Sequence, residues 1–436
     1  MPSRQPPTAA GNRRLERGDR LPELSTMTPG PRTTALAARI AACEAPGINT
    51  LVGDAGTETD CVWLEALGAN VLDVDGNVFL DLTAGFGVAA VGHRHPAVVA
   101  AAAAQADRLV HGLGDVFSHP GRIALAERLA ARSPFSDARV YFAISGADAV
   151  EVALKTARLH TGRDRVLAFD LGYHGLTLGA ARVTARAAFR EPFDPRPEGV
   201  LRARFGGPLA PVEELLRSGR PGAVVVEPIV GREGVVIPPS GWLAELATLA
   251  RSHGALLIAD EIFVAFGRAG EWFVSPAEGV VPDLLCCGKA LGGGWPIAAV
   301  LAEREIMECW RSDGEARHTA TFVAHPIACA ASLATLDQLE QLIPAAPRRL
   351  AEGLLPLLSA AREHGFEVRG RGALWGLVDQ RAARLQRRLL EVGILALAGG
   401  PSGDVLQLCP PLVITDAQLA AVCERGIAAL ERLGSG

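Results

Sequence analysis

Across the middle of the chain, short and wholly apolar runs keep returning between helical stretches. They read "ARVYFAIS", "DRVLAFD", "GAVVVEP", "ALLIADE", "DLLCCGK" and "IAAVLAE". A strand with one wet face alternates polar and apolar residues, whereas these runs are apolar at consecutive positions and so need cover on both faces. Amphipathic stretches such as "HPAVVAAAAAQADRLV" and "PGRIALAERLAARS" can supply that cover. The pattern predicts an α/β chain with a mostly parallel sheet between helix layers. In such sheets ligands meet the carboxyl ends of the strands, so residues just after each apolar run come first in the search for function.

With 436 residues the chain exceeds one small core, which suits a large domain with a smaller partner. Ahead of the repeated unit, "NVLDVDGNVFLDLTAG" alternates around Asp75-Gly76 and predicts a hairpin. Beyond "TFVAHPIACAASLATLDQLEQL", a long helix, the order helix, strand, strand, helix, strand, helix predicts a second, α+β unit. The expected division is a poorly ordered arm over 1–33, a segment over 34–80 that joins the small domain, a large domain over 81–328 and the small domain over 329–436. The arm is rich in Pro, Arg, Ser and Thr and lacks apolar periodicity, while Glu16, Asp19 and Glu23 argue against an organelle presequence.

A net charge of -5 argues against nucleic acid or an anionic membrane as partner, since both need clustered positive charge. No apolar run is long enough for a bilayer, and the expected location is the cytoplasm. The eight cysteines lie far apart except Cys286 and Cys287, with no CxxC pair, so reduced thiols are expected rather than a zinc ribbon or disulfide scaffold. His93 and His95 in "GHRHP" lack a further ligand set, and no metal is expected.

Lysine is almost absent: only Lys155 and Lys289 occur, arginine carrying the remaining basic charge. Arginine cannot replace lysine where an amine must lose its proton and attack a carbonyl. Lys289 follows the run "DLLCC" and precedes a glycine cluster, the position of a ligand-facing amine. A P-loop would need glycine at 283 and Ser or Thr at 290, where Asp283 and Ala290 stand. Asp260 and Glu261 end "ALLIADE", placing acid at a neighbouring strand end. An acid there can hold a metal, act as a base or face a buried cation such as the protonated ring nitrogen of pyridoxal phosphate. In "AISGADAVEVALKTARL" the turn at Ser145-Gly146 opens a helix, which is either an ordinary capped helix or a phosphate cradle. Lys155 sits four residues after Glu151, the spacing of a surface ion pair. "LGYHGLT" places Tyr173 and His174 after another strand, where the tyrosine can stack on a ligand.

Taken in order, "GANVLDVDGNVFLDLTAGFGVAAVGHRHP", "SGADAVEVALKTAR", "YHG", "EPIVGREGVVIPP", "LLIADEIFVAFGRAG", "PDLLCCGKALGGGWPIAAV", "TFVAHPIACAA" and "PPLVIT" resemble the class III pyridoxal-phosphate-dependent aminotransferases. That group handles ornithine, 4-aminobutyrate and omega-amino acids on fold type I. The resemblance implies a large domain with a seven-stranded, mostly parallel sheet and a smaller C-terminal domain. It implies that Lys289 carries the cofactor covalently and moves a proton, that Asp260 pairs with the ring nitrogen, and that Ile262 and Tyr173 cover the two ring faces, with His174 beside them. Gly146 and Ala147 would bind the phosphate, Glu227 would lie near the ring hydroxyl and substrate, and Thr321 would reach the phosphate of a neighbouring subunit. A homodimer with both sites at its interface follows from that last role.

The chain departs from the family's pattern at Gln407. Many members that handle alpha-amino acids carry an arginine three residues before the Pro-Pro, and an amide cannot neutralise a carboxylate. Losing such a pair in a dry site costs about 2–5 kcal/mol. The departure points to a primary amine or omega-amino compound, or to a natural-product, sugar or cyclitol intermediate, exchanged against a keto acid or aldehyde. Racemase, aminomutase or decarboxylation-dependent chemistry on the same scaffold stays open. Phe86, in "AGFGV", is expected to shape the substrate pocket, and Val264-Ala265 replaces the more usual Thr-Gly and makes the cofactor wall more apolar.

Overall fold

The computed structural model describes residues 14–48, 60–195 and 198–433. Strands β1 (Trp63–Leu67), β2 (Asn70–Asp73) and β3 (Val78–Asp81) form an antiparallel meander. Its β2–β3 turn lies at Asp75-Gly76, as the alternation predicts: Gly76 adopts φ +89, and the Asp73 carboxylate accepts from Asp75 N at 2.9 Å and Asn77 N at 2.8 Å.

The apolar runs become β4 (Ala138–Ala143), β5 (Val166–Phe169), β7 (Ala223–Val226), β8 (Leu256–Asp260), β9 (Leu284–Cys287) and β10 (Ala298–Glu303), joined by β6 (Val200–Ala203). They make a seven-stranded sheet in the order β4-β10-β9-β8-β7-β5-β6. Every neighbouring pair is parallel except those of β10, which is antiparallel to both β4 and β9. Along β7, Val224 and Val226 enter one apolar cluster while Ala223 and Val225 enter another on the opposite face. Both faces are therefore dry, which is why the sequence shows no alternation there. β6 escaped the sequence reading because it is half-buried at the sheet edge and interrupted by Arg202, whose guanidinium donates to the Arg182 and Thr184 carbonyls.

Strands β11 (Glu367–Arg371), β12 (Leu374–Val378), β14 (Leu397–Gly399) and β15 (Val405–Leu408) form a third sheet, while β13 (Ile394–Leu395) leaves that neighbourhood to pair in parallel with β3. The N-terminal meander is thus closed by a C-terminal strand. One apolar cluster runs from Ala69 through Leu285 and Ala328 to Leu433, so core packing is continuous across the boundary expected at 328/329.

Residues 14–33 differ from the expected loose arm, whose first thirteen residues lie outside the described ones. Leu15 is buried, Glu23 exchanges backbone hydrogen bonds with Val78 at 2.8 and 2.9 Å, and the helix Pro31–Ala41 opens within the supposed arm. Asp75 accepts from the first-turn amides of Arg32 and Thr33 at 2.8 and 2.9 Å. Polar side chains from distant parts of the chain hold the segment. Gln418 Nε2 donates to the carbonyls of Gly18 and Arg20 at 3.1 and 3.0 Å, and Asn70 bonds Arg20 N and O at 2.9 and 3.0 Å. No local periodicity announces such anchors.

Among the described residues no helix is long and apolar enough to cross a membrane. Among the described residues no disulfide joins two cysteines, and five of the eight are buried.

Gln418 is fully buried. Replacing it by leucine removes the side-chain donor that the Gly18 and Arg20 carbonyls share, and Gln418→Leu is expected to lose about 1–3 kcal/mol in denaturant unfolding and to speed proteolysis before residue 30. Unchanged cleavage would show that the segment is held by other contacts.

Candidate active site

Strand register assembles the site. Val226 pairs with Ala259 and Asp260 pairs with Cys286, so Glu227, Asp260 and Lys289 leave three adjacent strands, β7, β8 and β9, at the same carboxyl edge. Gly288 continues in extended backbone, and Lys289 then turns sharply with φ +43 at the head of the short 3-10 helix Lys289–Gly292. A left-handed conformation costs a non-glycine residue about 1–2 kcal/mol, and here it is held by packing.

Each acid has defined partners. Glu227 accepts from Tyr173 N at 2.7 Å and Gly231 N at 3.0 Å. Asp260 Oδ1 accepts from Ile262 N at 3.1 Å, and its Oδ2 lies 2.8 Å from His174 Nδ1. Lys289 Nζ sits 4.2 Å from the centre of the Phe263 ring. That ring fits because Gly231 and Gly87 lack side chains: a Cβ there would stand 2.1 and 2.8 Å from Phe263 carbons.

The charges respond to this burial. Loss of solvent pushes the Lys289 ammonium below its ordinary value, with Arg232 adding to the effect against the pull of Glu227 and Asp260. Burial raises Glu227 to about 7, the His174 charge holding it down and Asp260 pushing it further up. For His174 burial opposes the charged form, but the hydrogen bond and charge of Asp260 outweigh it and the imidazole rises above its usual value. The result is an amine that gives up its proton readily beside a carboxylate paired to a histidine.

At the end of β4, Ser145 Oγ accepts from Asp148 N at 3.2 Å and opens the helix Gly146–Thr161. The first-turn amides of Gly146 and Ala147 have no acceptor within that helix. Ile262 closes on them: a Cβ on Gly146 would stand 3.0 Å from its Cγ2. Sequence alone left a capped helix and an anion cradle as alternatives, and the structure joins the cap to the Asp260 loop through Ile262.

Other expectations change. Lys155 does not pair with Glu151; its Nζ lies 2.8 Å from His318 Nδ1, and His318 Nε2 lies 2.9 Å from Asp148. Glu151 instead accepts from Thr177 Oγ1, Gly179 N and Ala180 N at 2.6, 2.8 and 3.2 Å. Gln407 turns to backbone rather than into an open site: its Nε2 donates to the Gly231 and Arg232 carbonyls at 2.9 and 3.0 Å. Val264 is core, packed with Ile229, Val235 and Ala269, so packing accounts for it. Phe86 is exposed and left-handed with φ +59, one residue before Gly87, whose missing Cβ would stand 3.8 Å from Lys289 Cδ. Thr321 is exposed in the turn before the helix Pro326–Leu342. Tyr173 lies edge-on to Phe189, with ring centres 5.9 Å apart, and the Arg232 guanidinium stands 4.3 Å from its centroid. Sequence reasoning missed Arg232 and Phe263, which sit inside quoted motifs without any residue pattern that says what they face.

The model of the family "Aminotransferase class-III" matches residues 52–430. The chain belongs to the class III aminotransferases. It is 40% identical over 356 residues to an acetylornithine aminotransferase of Methanopyrus kandleri, covering 81% of this chain and 90% of that one. A thermostable (S)-enantioselective omega-transaminase from Thermomicrobium roseum matches with a TM-score of 0.83 at 28% identity over 92% of this chain and 98% of the other. An amine transaminase from an uncultivated Pseudomonas species, in its PLP-bound form, matches with a TM-score of 0.79 at 29% identity over 89% and 98%. The aminotransferase is therefore a pyridoxal-phosphate enzyme of fold type I. Its residues fit that group: a half-buried, desolvated amine for the aldehyde carbon, a histidine-braced carboxylate for a ring cation, and first-turn helix amides for a phosphate.

Because Glu227 stays protonated up to about 7 in the fold against an ordinary 4.5, folding takes up a proton between those values and stability falls as pH rises through them. Glu227→Gln places an NH2 group against a backbone N–H and lowers the melting temperature overall, yet it is expected to flatten the decline of the apoprotein from pH 5 to 8. An unaltered slope in thermal scans would remove Glu227 as the titrating group.

Proposed function

We propose that this aminotransferase exchanges an amino group between a primary or omega-amine and a keto acid or aldehyde. The observation that carries the reading is Lys289: a half-buried residue whose desolvated amine has a lowered proton affinity, on the strand end next to Asp260 and two strands from Glu227 at the carboxyl edge of the parallel strands. Pyridoxal phosphate, when bound, withdraws electrons from the carbon that bears the amine. Lys289 Nζ holds the cofactor and moves the proton released at that carbon. Asp260, bonded to His174, would face the ring nitrogen, and Ile262 and Tyr173 would cover the ring. The Gly146 and Ala147 amides take the phosphate, and Glu227 stands by the ring hydroxyl and the entering substrate. The relatives' names, acetylornithine aminotransferase and omega-transaminase, favour an amine on an amino-acid-derived carbon chain over a sugar or cyclitol.

We also assign a homodimer. Val110, Leu113, Val116, Phe117 and Phe322 expose large apolar surface, and the two segments touch, since His111 and Phe322 rings lie 5.7 Å apart. Such a contiguous patch suits burial by a second copy. It adjoins Thr321, which would then serve the phosphate of the partner's site. Cysteines not joined in disulfides among the described residues suit a reducing compartment, and we assign the cytoplasm.

Mixing the cofactor-loaded protein with simple amines, omega-amino acids and alpha-amino acids tests the substrate class. Loss of the bound-cofactor absorbance, with pyridoxamine phosphate formed, is expected with amines and omega-amino acids. Prompt conversion by alanine, with none by omega-amines, would contradict it.

A further inference from the structure

Gln407 leaves open what meets the carboxylate of a keto-acid substrate, and the structure offers another cation. Arg232 lies on the loop after β7, closed by reciprocal backbone bonds between Val230 and Val236, both 2.9 Å. Its backbone is tied down on two further sides. Gln407 donates to its carbonyl at 3.0 Å and Gly400 N at 3.2 Å, while the preceding Gly231 N bonds Glu227 at 3.0 Å. Its guanidinium is 4.3 Å from the Tyr173 ring centre and 5.0 Å from that of Phe189, so two aromatic rings strip part of its water. It is half-buried, and no carboxylate pairs with it among the described residues. The adjacent Glu233 is committed to Arg186 at 2.9 Å, while Glu227 accepts from two backbone amides and Asp260 is bonded to His174.

A partly desolvated guanidinium without a counterion, packed on Tyr173 and near enough to oppose protonation of Lys289, is built to receive an anion. We propose that Arg232 is the receptor for the carboxylate of the keto-acid substrate, with Gln407 as the positioning residue that fixes its loop. The planar fork takes two carboxylate oxygens at once, and stacking on Tyr173 sets its plane. Amines that lack a carboxylate bypass this contact, so one site serves a carboxylate-bearing acceptor and a carboxylate-free donor without moving a cation in and out. This role rests on the aminotransferase reading above and extends it to the second substrate.

Glutarate, an unreactive dicarboxylate, separates the two claims because its binding needs no turnover. Calorimetric titration of the cofactor-loaded dimer is expected to show saturable glutarate binding that weakens at least tenfold in Arg232→Gln and partly recovers in Arg232→Lys, which keeps charge but loses the fork. In steady-state assays Arg232→Gln is expected to raise KM for a keto acid at least tenfold more than it raises KM for a simple amine, with the smaller change in kcat. Absent glutarate binding to the parent protein, or equal affinity in the Gln variant, overturns the proposal. Equal losses for both substrates would reduce Arg232 to a structural role, and weaker cofactor retention with intact glutarate binding would assign it to the phosphate instead. Failure of every amine in the parent protein would count against the substrate class alone, since glutarate binding would still decide Arg232.

Discussion

Asp260 is the group on which the rest of this architecture depends. It is a carboxylate buried at a strand end, with no arginine or lysine as ion-pair partner among the described residues, held by one backbone amide and by His174. Truncating one member of a buried pair costs about 3–5 kcal/mol because the other charge stays behind. The protein therefore keeps His174 fixed: its own amide bonds Thr184 Oγ1 at 3.0 Å, and that hydroxyl bonds the Gly175 carbonyl at 3.0 Å. Loop, strand end and helix start are thereby locked into one arrangement, with Ile262 wedged against Gly146.

Around that fixed negative charge the remaining groups take complementary states. Lys289 loses hold of its proton because it is buried, Glu227 gains one near neutrality for the same reason, and His174 is pulled toward its charged form by Asp260. Lys289 moves down and Glu227 moves up, so both come closer to the neutral range in which a group can give and take a proton. The sheet makes this possible. β7, β8 and β9 run in parallel with consecutive register, so residues far apart in sequence emerge side by side.

Much of this was legible in the chain. Consecutive apolar residues in β7 and β9 announced strands covered on both faces, and the near absence of lysine made Lys289 conspicuous. Asp260 followed from its place at a strand end, Glu227 and the implied roles only from the family resemblance. The illegible parts are those set by tertiary contacts. The N-terminal segment looks loose because its anchors, Gln418 and Asn70, lie far along the chain. Glu151 and Lys155 have the spacing of a helical ion pair, yet each finds a better partner on another element. Arg232 reads as an ordinary loop arginine until Tyr173 and Phe189 are seen beneath it.

The central claim is that the amine of Lys289 is the one that engages the cofactor. With only Lys155 and Lys289 in the chain, borohydride reduction of the loaded protein followed by peptide mass mapping gives an unambiguous readout. The account predicts the reduced cofactor mass on the peptide holding Lys289 and none on that holding Lys155, which is engaged with His318. Label on Lys155, or none on either lysine, would contradict it.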